Sequence, residues 1–240
     1  MPDLSARSVV VTGATGNLGH AVVRLFLESG AHVAVPVRDT AKADELRSSL
    51  GELTGAGDDT KLIVEAADVG DRGAMDIFVE RVMRAWGRLD VLANLAGGFG
   101  SGPATDFDLM QRLWDQNVRT AVNATAACLV PMRARGHGRI VTVSAFAATK
   151  GRKGSGPYAM AKGALVRWTE ALAEEVKDEG ITVNAVLPSA IDHPTNRTRF
   201  PKADPKQWVT PHELAALIVF LSSDEASGIT GAAIPVTARG

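Results

Sequence analysis

Short apolar runs rich in β-branched residues alternate with longer stretches of helical period along nearly the whole chain. Ser8-Val9-Val10-Val11-Thr12 reads as a buried strand. Behind it Leu18, Ala21, Val22, Leu25 and Phe26 recur at i, i+3, i+4, i+7 and i+8, one face of a helix that Gly30 stops. The same reading predicts strands over 32–37, 61–66, 89–95, 138–144, 181–187 and 232–236. Helices are predicted over 40–50, 71–86, 105–130, 157–178 and 211–221, with Gly87 and Gly180 as stops. Residues 51–59 are expected to form a glycine-rich loop, and 189–209 an irregular polar segment.

Strands apolar on both faces and separated by helices point to an α/β protein. Its parallel sheet of about seven strands would be doubly wound, with helices on both faces. No break in composition divides the 240 residues, so one domain over 1–240 is expected, with a substrate lid at about 189–210. Ligands of such sheets bind beyond the carboxyl ends of the strands. The places to search therefore follow Val11, Val37, Ala66, Leu95, Ser144 and Leu187.

Composition narrows the partners. A net charge of −1 gives no global field for nucleic acid or an anionic membrane. No apolar run reaches the roughly 18 residues of a spanning helix, and the N-terminus lacks a signal-peptide core. A cytoplasmic protein that binds neither membrane nor nucleic acid is expected. The single cysteine, Cys128, allows no intramolecular disulfide and no cysteine metal cluster. It lies in the apolar run 121–130 and reads as a buried structural thiol, so no metal site is expected.

The turn after the first strand is Thr12-Gly13-Ala14-Thr15-Gly16-Asn17-Leu18-Gly19. Glycines there let the chain approach a pyrophosphate, and the helix start offers free N–H groups and a positive dipole end. Gly13, Thr15, Gly16, Asn17, Leu18 and Gly19 are thus the phosphate-binding candidates of a Rossmann-type dinucleotide site. After the second strand, Val37 fills the slot of the acid that holds an NAD ribose, and Arg38 follows. An Arg suits a 2′-phosphate, so NADP(H) is favoured over NAD(H). Asp39 reads as a cap for the next helix. Asp68, next to Val69, either accepts from an adenine amino group or caps a helix. Asn94-Leu95-Ala96-Gly97 either passes the adenosine ribose or is a plain strand-end turn.

Tyr158 and Lys162 stand four apart at the start of a predicted helix and share one face. A phenol with a reference pKa of about 10 is a poor proton donor or acceptor at neutral pH. A neighbouring ammonium is expected to lower that value and let the pair move protons beside a hydride-carrying cofactor.

Taken together, these pieces resemble the short-chain dehydrogenase/reductase superfamily over essentially the whole chain. They are the glycine turn, Asp68, Asn94-x-Ala96-Gly97, Asn117, the strand ending at Ser144, Tyr158-x-x-x-Lys162, Asn184, Pro188 and Ile229-Thr230-Gly231. The resemblance implies an oxidoreductase in which Tyr158 donates a proton. Lys162 would hold the nicotinamide ribose, and Asn117 would support a relay water. It also places Pro188, Ile191 and His193 along the nicotinamide, His193 standing where a Thr would bond the carboxamide. Members commonly pair through the two long helices, so a homodimer or homotetramer is implied.

Two departures stand out. Asn17 replaces the usual middle glycine of the turn, with Gly16 one place earlier. The family's catalytic serine position holds Ala145, and Ser144 is one residue before it. Alternation along a strand would point Ser144 the other way. Either a local bulge brings Ser144 into the site, or the chemistry does without that hydroxyl.

Further stretches resemble the divergent dihydropteridine reductase-like branch, which also carries Ala at that place and reduces a quinonoid ring. These are Ala96-Gly97-Gly98-Phe99, Ala145-Phe146-Ala147-Ala148, and a lid run through Asp192-x-Pro194-x-Asn196-Arg197, Pro201-x-Ala203-Asp204 and Trp208. That branch carries Asp near Val37, unlike this chain. Phe99, Ala145 and Trp208 are therefore substrate-site candidates, the two aromatics as walls for a flat molecule or as loop anchors. The basic loop Gly151-Arg152-Lys153-Gly154 reads as mobile, or as steering for an anionic substrate. The leading reading is an NADPH-dependent reductase of a quinonoid or carbonyl small molecule. The alternative is a non-catalytic NADP(H)-binding redox sensor.

Overall fold

Alternate residues of each strand feed two separate cores, and that alternation builds the molecule. Val9, Val11, Val33, Val35, Val91, Ala93 and Val141 pack on one side of the sheet. Val10, Ala34, Leu92, Ile140 and Val183 pack on the other. A strand that serves both cores must be apolar throughout, which is why these runs show no polar alternation. The computed structural model describes residues 2–54 and 61–238.

The strands are β1 (Ser8–Thr12), β2 (His32–Val37), β3 (Leu62–Ala66), β4 (Val91–Asn94), β5 (Gly138–Val143), β6 (Ile181–Pro188) and β7 (Ala233–Val236). They lie in the order β3-β2-β1-β4-β5-β6-β7, and every pairing is parallel. The first core is closed by α1 (Asn17–Glu28), α2 (Thr40–Thr54) and α8 (Pro211–Leu221). The second is closed by α3 (Arg72–Trp86), α5 (Thr120–Arg135) and α6 (Gly156–Val176). Cys128 is fully buried there, and burial pushes its thiol pKa up, as a structural thiol requires. Among the described residues, no helix is long and apolar enough to cross a membrane.

Three segments differ from the sequence expectation. Helix α2 runs past Leu50 through Gly51 to Thr54, because Leu50 is fully buried and Leu53 packs on the same core. The remainder of the expected 51–59 loop lies outside the described residues. The expected helix 105–130 starts at α4 (Phe107–Trp114), capped by the Asp106 carboxylate. It widens into a π-helical segment at Asp115–Arg119 and continues as α5 through Pro131 to Arg135. The expected irregular segment 189–209 holds α7 (Pro194–Arg199) and a 3₁₀ turn at Pro205–Gln207. Its base is sewn by a parallel bridge between Ile191 and Val209.

The chain reverses direction across the sheet between β1 and β4, and there the strand ends touch. The buried Thr12 hydroxyl accepts from the N–H of Leu95 and of Ala96, each at 3.1 Å. Gly13 follows at φ +70°, and a Cβ on it would lie 2.7 Å from the Ala96 nitrogen. Gly19 lets α1 settle on this turn, since a Cβ there would lie 2.3 Å from the Gly13 carbonyl oxygen. Gly13→Ala would meet both a left-handed backbone and a backbone collision. It is expected to cost about 2–4 kcal/mol, read as a Tm lowered by roughly 5–15 °C.

Candidate active site

The groups that carry chemistry gather beyond the carboxyl ends of β4 and β5. Asn117 reaches them through the π-helical widening. Its amide donates to the Leu113 carbonyl at 2.8 Å and to the Gly98 carbonyl at 3.1 Å, and its oxygen accepts from Gly98 N–H at 3.2 Å. A side-chain bond to the carbonyl four residues back opens a helix turn, so one polar residue both widens the helix and holds the β4 loop. With its amide committed to backbone, the Asn117 side chain holds residues 97–98 in place. The loop must be glycine here: a Cβ on Gly97 would lie 2.6 Å from the Asn117 oxygen and 3.4 Å from Lys162 Nζ.

Tyr158 and Lys162 sit in the first turns of α6, which Pro157 opens and which Leu109, Leu113, Ala121, Ala161 and Leu165 anchor to α4 and α5. Lys162 is buried, and its Nζ donates to the Val143 carbonyl at 2.9 Å. The ammonium lies 5.9 Å from the Tyr158 ring centroid. Burial pushes Tyr158 up to about 12 and Lys162 down to about 8. The expectation that the lysine would lower the tyrosine is thereby reversed. Desolvation penalises both charged forms, and it outweighs an ammonium bound to the Val143 carbonyl. Tyr158 is thus a protonated phenol throughout the neutral range.

Ser144 is not part of this cluster. The β5–β6 ladder continues without a bulge through Ser144 N–H to the Val186 carbonyl at 2.9 Å. Alternation therefore turns the buried Ser144 side chain toward α6, where its hydroxyl donates to the Lys162 carbonyl at 2.8 Å. Ala145, extended at φ −162°, stands next along the chain with no hydroxyl to offer. Asn94 also turns inward: its amide donates to Thr125 Oγ1 at 2.9 Å, tying β4 to α5. Trp208 is buried and meets Phe200 edge-on at 6.5 Å, the geometry of a loop anchor. Phe99 is half-exposed and tilted over Tyr158 with ring centroids 4.9 Å apart.

The remaining candidates frame a dinucleotide. The cradle formed by Gly13 and Gly19 is one that side chains would fill. The α1 N-terminus has Gly16 as cap, no side-chain cap bond and no acid in its first turn, which leaves its N–H groups free for a pyrophosphate. Thr15 and Asn17 are exposed beside it, whereas Leu18 packs inward. Arg38 is exposed at the end of β2 without an acidic partner among the described residues, and Val37 is buried. Asp39 caps α2 through Ala41 N–H at 3.0 Å. Asp68 spends one oxygen on Gly70 N–H at 2.8 Å, and the loop at Val69 and Gly70 is held by the Asn123 amide. Pro188 ends β6, Ile191 makes the lid-base bridge, and Asn184 ties β6 to Ile229 and Ala232. The His193 Nδ1 accepts from Thr195 N–H at 3.1 Å. That bond leaves Nε2 as the protonated, donating nitrogen of the neutral ring. These residues fit a nicotinamide dinucleotide.

Sequence reading missed Thr12, Asn123 and the Val143 carbonyl. A threonine directly before the first glycine was a legible signal for Thr12; nothing marks a main-chain carbonyl as an ammonium acceptor.

A match described as short chain dehydrogenase spans residues 7–204. The chain is 30% identical over 238 residues to subunit BbsD of a hydroxy(phenyl)methylsuccinyl-CoA dehydrogenase of Thauera aromatica, covering 94% of this chain and 92% of that protein. It is 28% identical over 252 residues to the 3-oxoacyl-(acyl-carrier-protein) reductase FabG of Escherichia coli (strain K12), covering 98% and 97%. NAD+-bound xylitol dehydrogenase superposes with a TM-score of 0.86 at 26% identity, over 97% of this chain and 98% of that one.

The buried ammonium has a consequence for stability. With its folded pKa lowered to about 8, Lys162 holds fewer protons in the folded than in the unfolded chain between pH 8 and about 10.4. Stability from this group therefore rises with pH across that window, and the cost of burial is full below it. At pH 7 and without cofactor, Lys162→Met should raise Tm by about 4–8 °C, equivalent to roughly 2 kcal/mol. Its advantage should shrink as pH rises from 8 to 10. A Tm difference that stays constant with pH would contradict an ionic cost.

Proposed function

The chain belongs to the short chain dehydrogenase family of NAD(P)-dependent oxidoreductases, and on that premise we propose that it is an NADPH-dependent reductase of a quinonoid or carbonyl small molecule, with Tyr158 as the proton donor. The observation that carries this reading is the convergence of Tyr158, Lys162 and the glycine loop held by Asn117 at one strand-end crevice. A bound dinucleotide supplies the hydride. Tyr158 gives its proton to the substrate oxygen as the carbon accepts hydride, so a C=O becomes a CH–OH. The phenolate left behind is stabilised by the Lys162 ammonium, whose desolvation is already met in the folded protein. A phenol held near pKa 12 is a reluctant acid by itself. The oxyanion forming on the substrate, and the positive charge that builds beside the phenol, drive the transfer.

No serine hydroxyl polarises the substrate oxygen in this scheme, because Ser144 faces α6. Tyr158 is then the main protein acid at that oxygen, and a flat conjugated acceptor with Phe99 along it suits such a site. Two relatives act, by name, on 3-oxoacyl and hydroxyacyl substrates, which supports a ketone–secondary alcohol pair as the reacting group. Arg38 at the end of β2, with Val37 in place of an acid, supports NADPH over NADH. The Thr195 bond leaves His193 Nε2–H as a donor, which supports a contact to a carboxamide oxygen. Self-association as a dimer or tetramer is supported by the exposed Phe107, Trp114, Val122 and Val130 on α4 and α5 and by Met160 on α6.

Turnover and cofactor choice test this reading separately. Tyr158→Phe should lower kcat by at least about 10²-fold while NADPH affinity, followed by fluorescence, stays within about twofold. Ser144→Ala should leave kcat within about threefold; a loss comparable to that of Tyr158→Phe would restore a catalytic serine. A sensor without activity would consume no NADPH with any quinone, quinonoid pterin or ketone. Arg38→Ala should raise KM for NADPH about tenfold or more and leave KM for NADH nearly unchanged. Equal effects on both cofactors would remove Arg38 from the phosphate site.

A further inference from the structure

The Arg199 guanidinium lies 4.1 Å above the Phe99 ring, on the ring that tilts over Tyr158. An arginine stacked on an aromatic face is fixed by the ring, while its N–H groups point outward in their own plane. Those donors suit a carboxylate. Here none takes them: Arg199 has no acidic partner among the described residues. The nearby lid acid, Asp192, is held by Arg197 through two bonds of 2.7 Å. The acid at the other side of the mouth, Asp106, is committed as the cap of α4.

The surroundings reinforce this excess of positive charge. The loop that carries Arg152 and Lys153 is tied to the Phe99 loop by Ser101 Oγ and Gly102 N–H, which both donate to the Gly154 carbonyl, at 2.7 and 3.0 Å. Arg112 reaches the same loop, its Nη2 3.5 Å from where a Cβ on Gly100 would sit. Neither Arg112, Arg152 nor Lys153 has an acidic partner among the described residues. A chain of net charge −1 thus concentrates unpaired cations at the rim of one crevice. Screening shortens the reach of exposed charges to about 8–10 Å, so only an anion inside the mouth feels them fully.

We infer that the substrate carries its own carboxylate, and that Arg199 binds it as a specificity-determining residue. This rests on the reductase reading above and adds the substrate class to it. The two stacking steps laid end to end put the guanidinium carbon within about 9 Å of the Tyr158 ring centre. A carboxylate no more than about one aromatic ring away from the reacting carbonyl falls within that limit. The fork of the guanidinium suits a bidentate carboxylate.

The test uses full-length protein, NADPH, and two probes that differ in charge and by one methyl group, 4-acetylbenzoate and its methyl ester. The wild type should prefer the acid in kcat/KM by about tenfold or more. In Arg199→Gln that preference should fall toward unity through a raised KM for the acid, and Arg199→Lys should recover part of it. The preference should also weaken with added salt. A preference that is absent in the wild type, or equal in wild type and Arg199→Gln, would overturn the inference. Binding of terephthalate to the NADPH-loaded protein, followed by calorimetry, reads the same contact without chemistry. Terephthalate bound by wild type and by Tyr158→Phe but not by Arg199→Gln supports the carboxylate site even if neither ketone is reduced. No binding, or binding that Arg199→Gln retains, rejects it. Turnover of the ester that Tyr158→Phe abolishes leaves the reductase reading standing when the carboxylate site fails.

Discussion

Two backbone turns touch at the centre of this molecule, and nearly everything that can do chemistry depends on that contact. The turn after β1 and the turn after β4 approach until the Gly13 Cα faces the Ala96 nitrogen with no room for a methyl group. Thr12 completes the contact by taking both free N–H groups of the β4 turn. The sheet order makes the approach unavoidable, since β1 and β4 are neighbours and each continues into a loop at the same end. One turn starts the helix whose N–H groups suit a pyrophosphate; the other carries Gly97 and Gly98 to Asn117 and Lys162. A shift of either turn would move both halves of the crevice together.

Burial sets the electrostatics of the crevice. Lys162 and Tyr158 are both desolvated, so each is pushed toward its neutral form. The pair therefore stands ready as a phenol beside a weakly held ammonium, with the Val143 carbonyl as the ammonium's partner. A charge forming on the substrate or on the phenol meets an environment with little water to screen it. The cost of holding such groups is accepted in the folded state, and an active site is the usual place for that.

Much of this was legible along the chain. Strand and helix positions followed from period alone, because strands buried on both faces must be continuous apolar runs and helices must show a stripe. Tyr158, Lys162 and the glycine turn were recognisable from spacing and neighbours, and Asn117 from the family resemblance. Helix α2 was not fully legible, since Leu53 extends it across a glycine only by packing against the core. The π-helical widening was not legible either: the Asn117 bond to the Leu113 carbonyl is local, but the hold on Gly98 that fixes the same amide comes from across the crevice.

The direction of individual side chains was decided by the tertiary structure. Sequence placed Ser144 and Ala145 side by side and left open which of them meets the substrate; an unbroken ladder to Val186 settled the parity and sent the serine hydroxyl to α6. It left Phe99 and Trp208 alike as walls or loop anchors, and packing put one over Tyr158 and buried the other against Phe200. It gave no reason to pair Arg199 with Phe99, residues far apart in the chain. The chain by itself determined the sheet, its helices and the kinds of group the crevice would hold, because those follow from local period and composition. Which atoms point inward, and how far each pKa moves, depends on contacts between segments distant in sequence, and only the folded molecule brings those together.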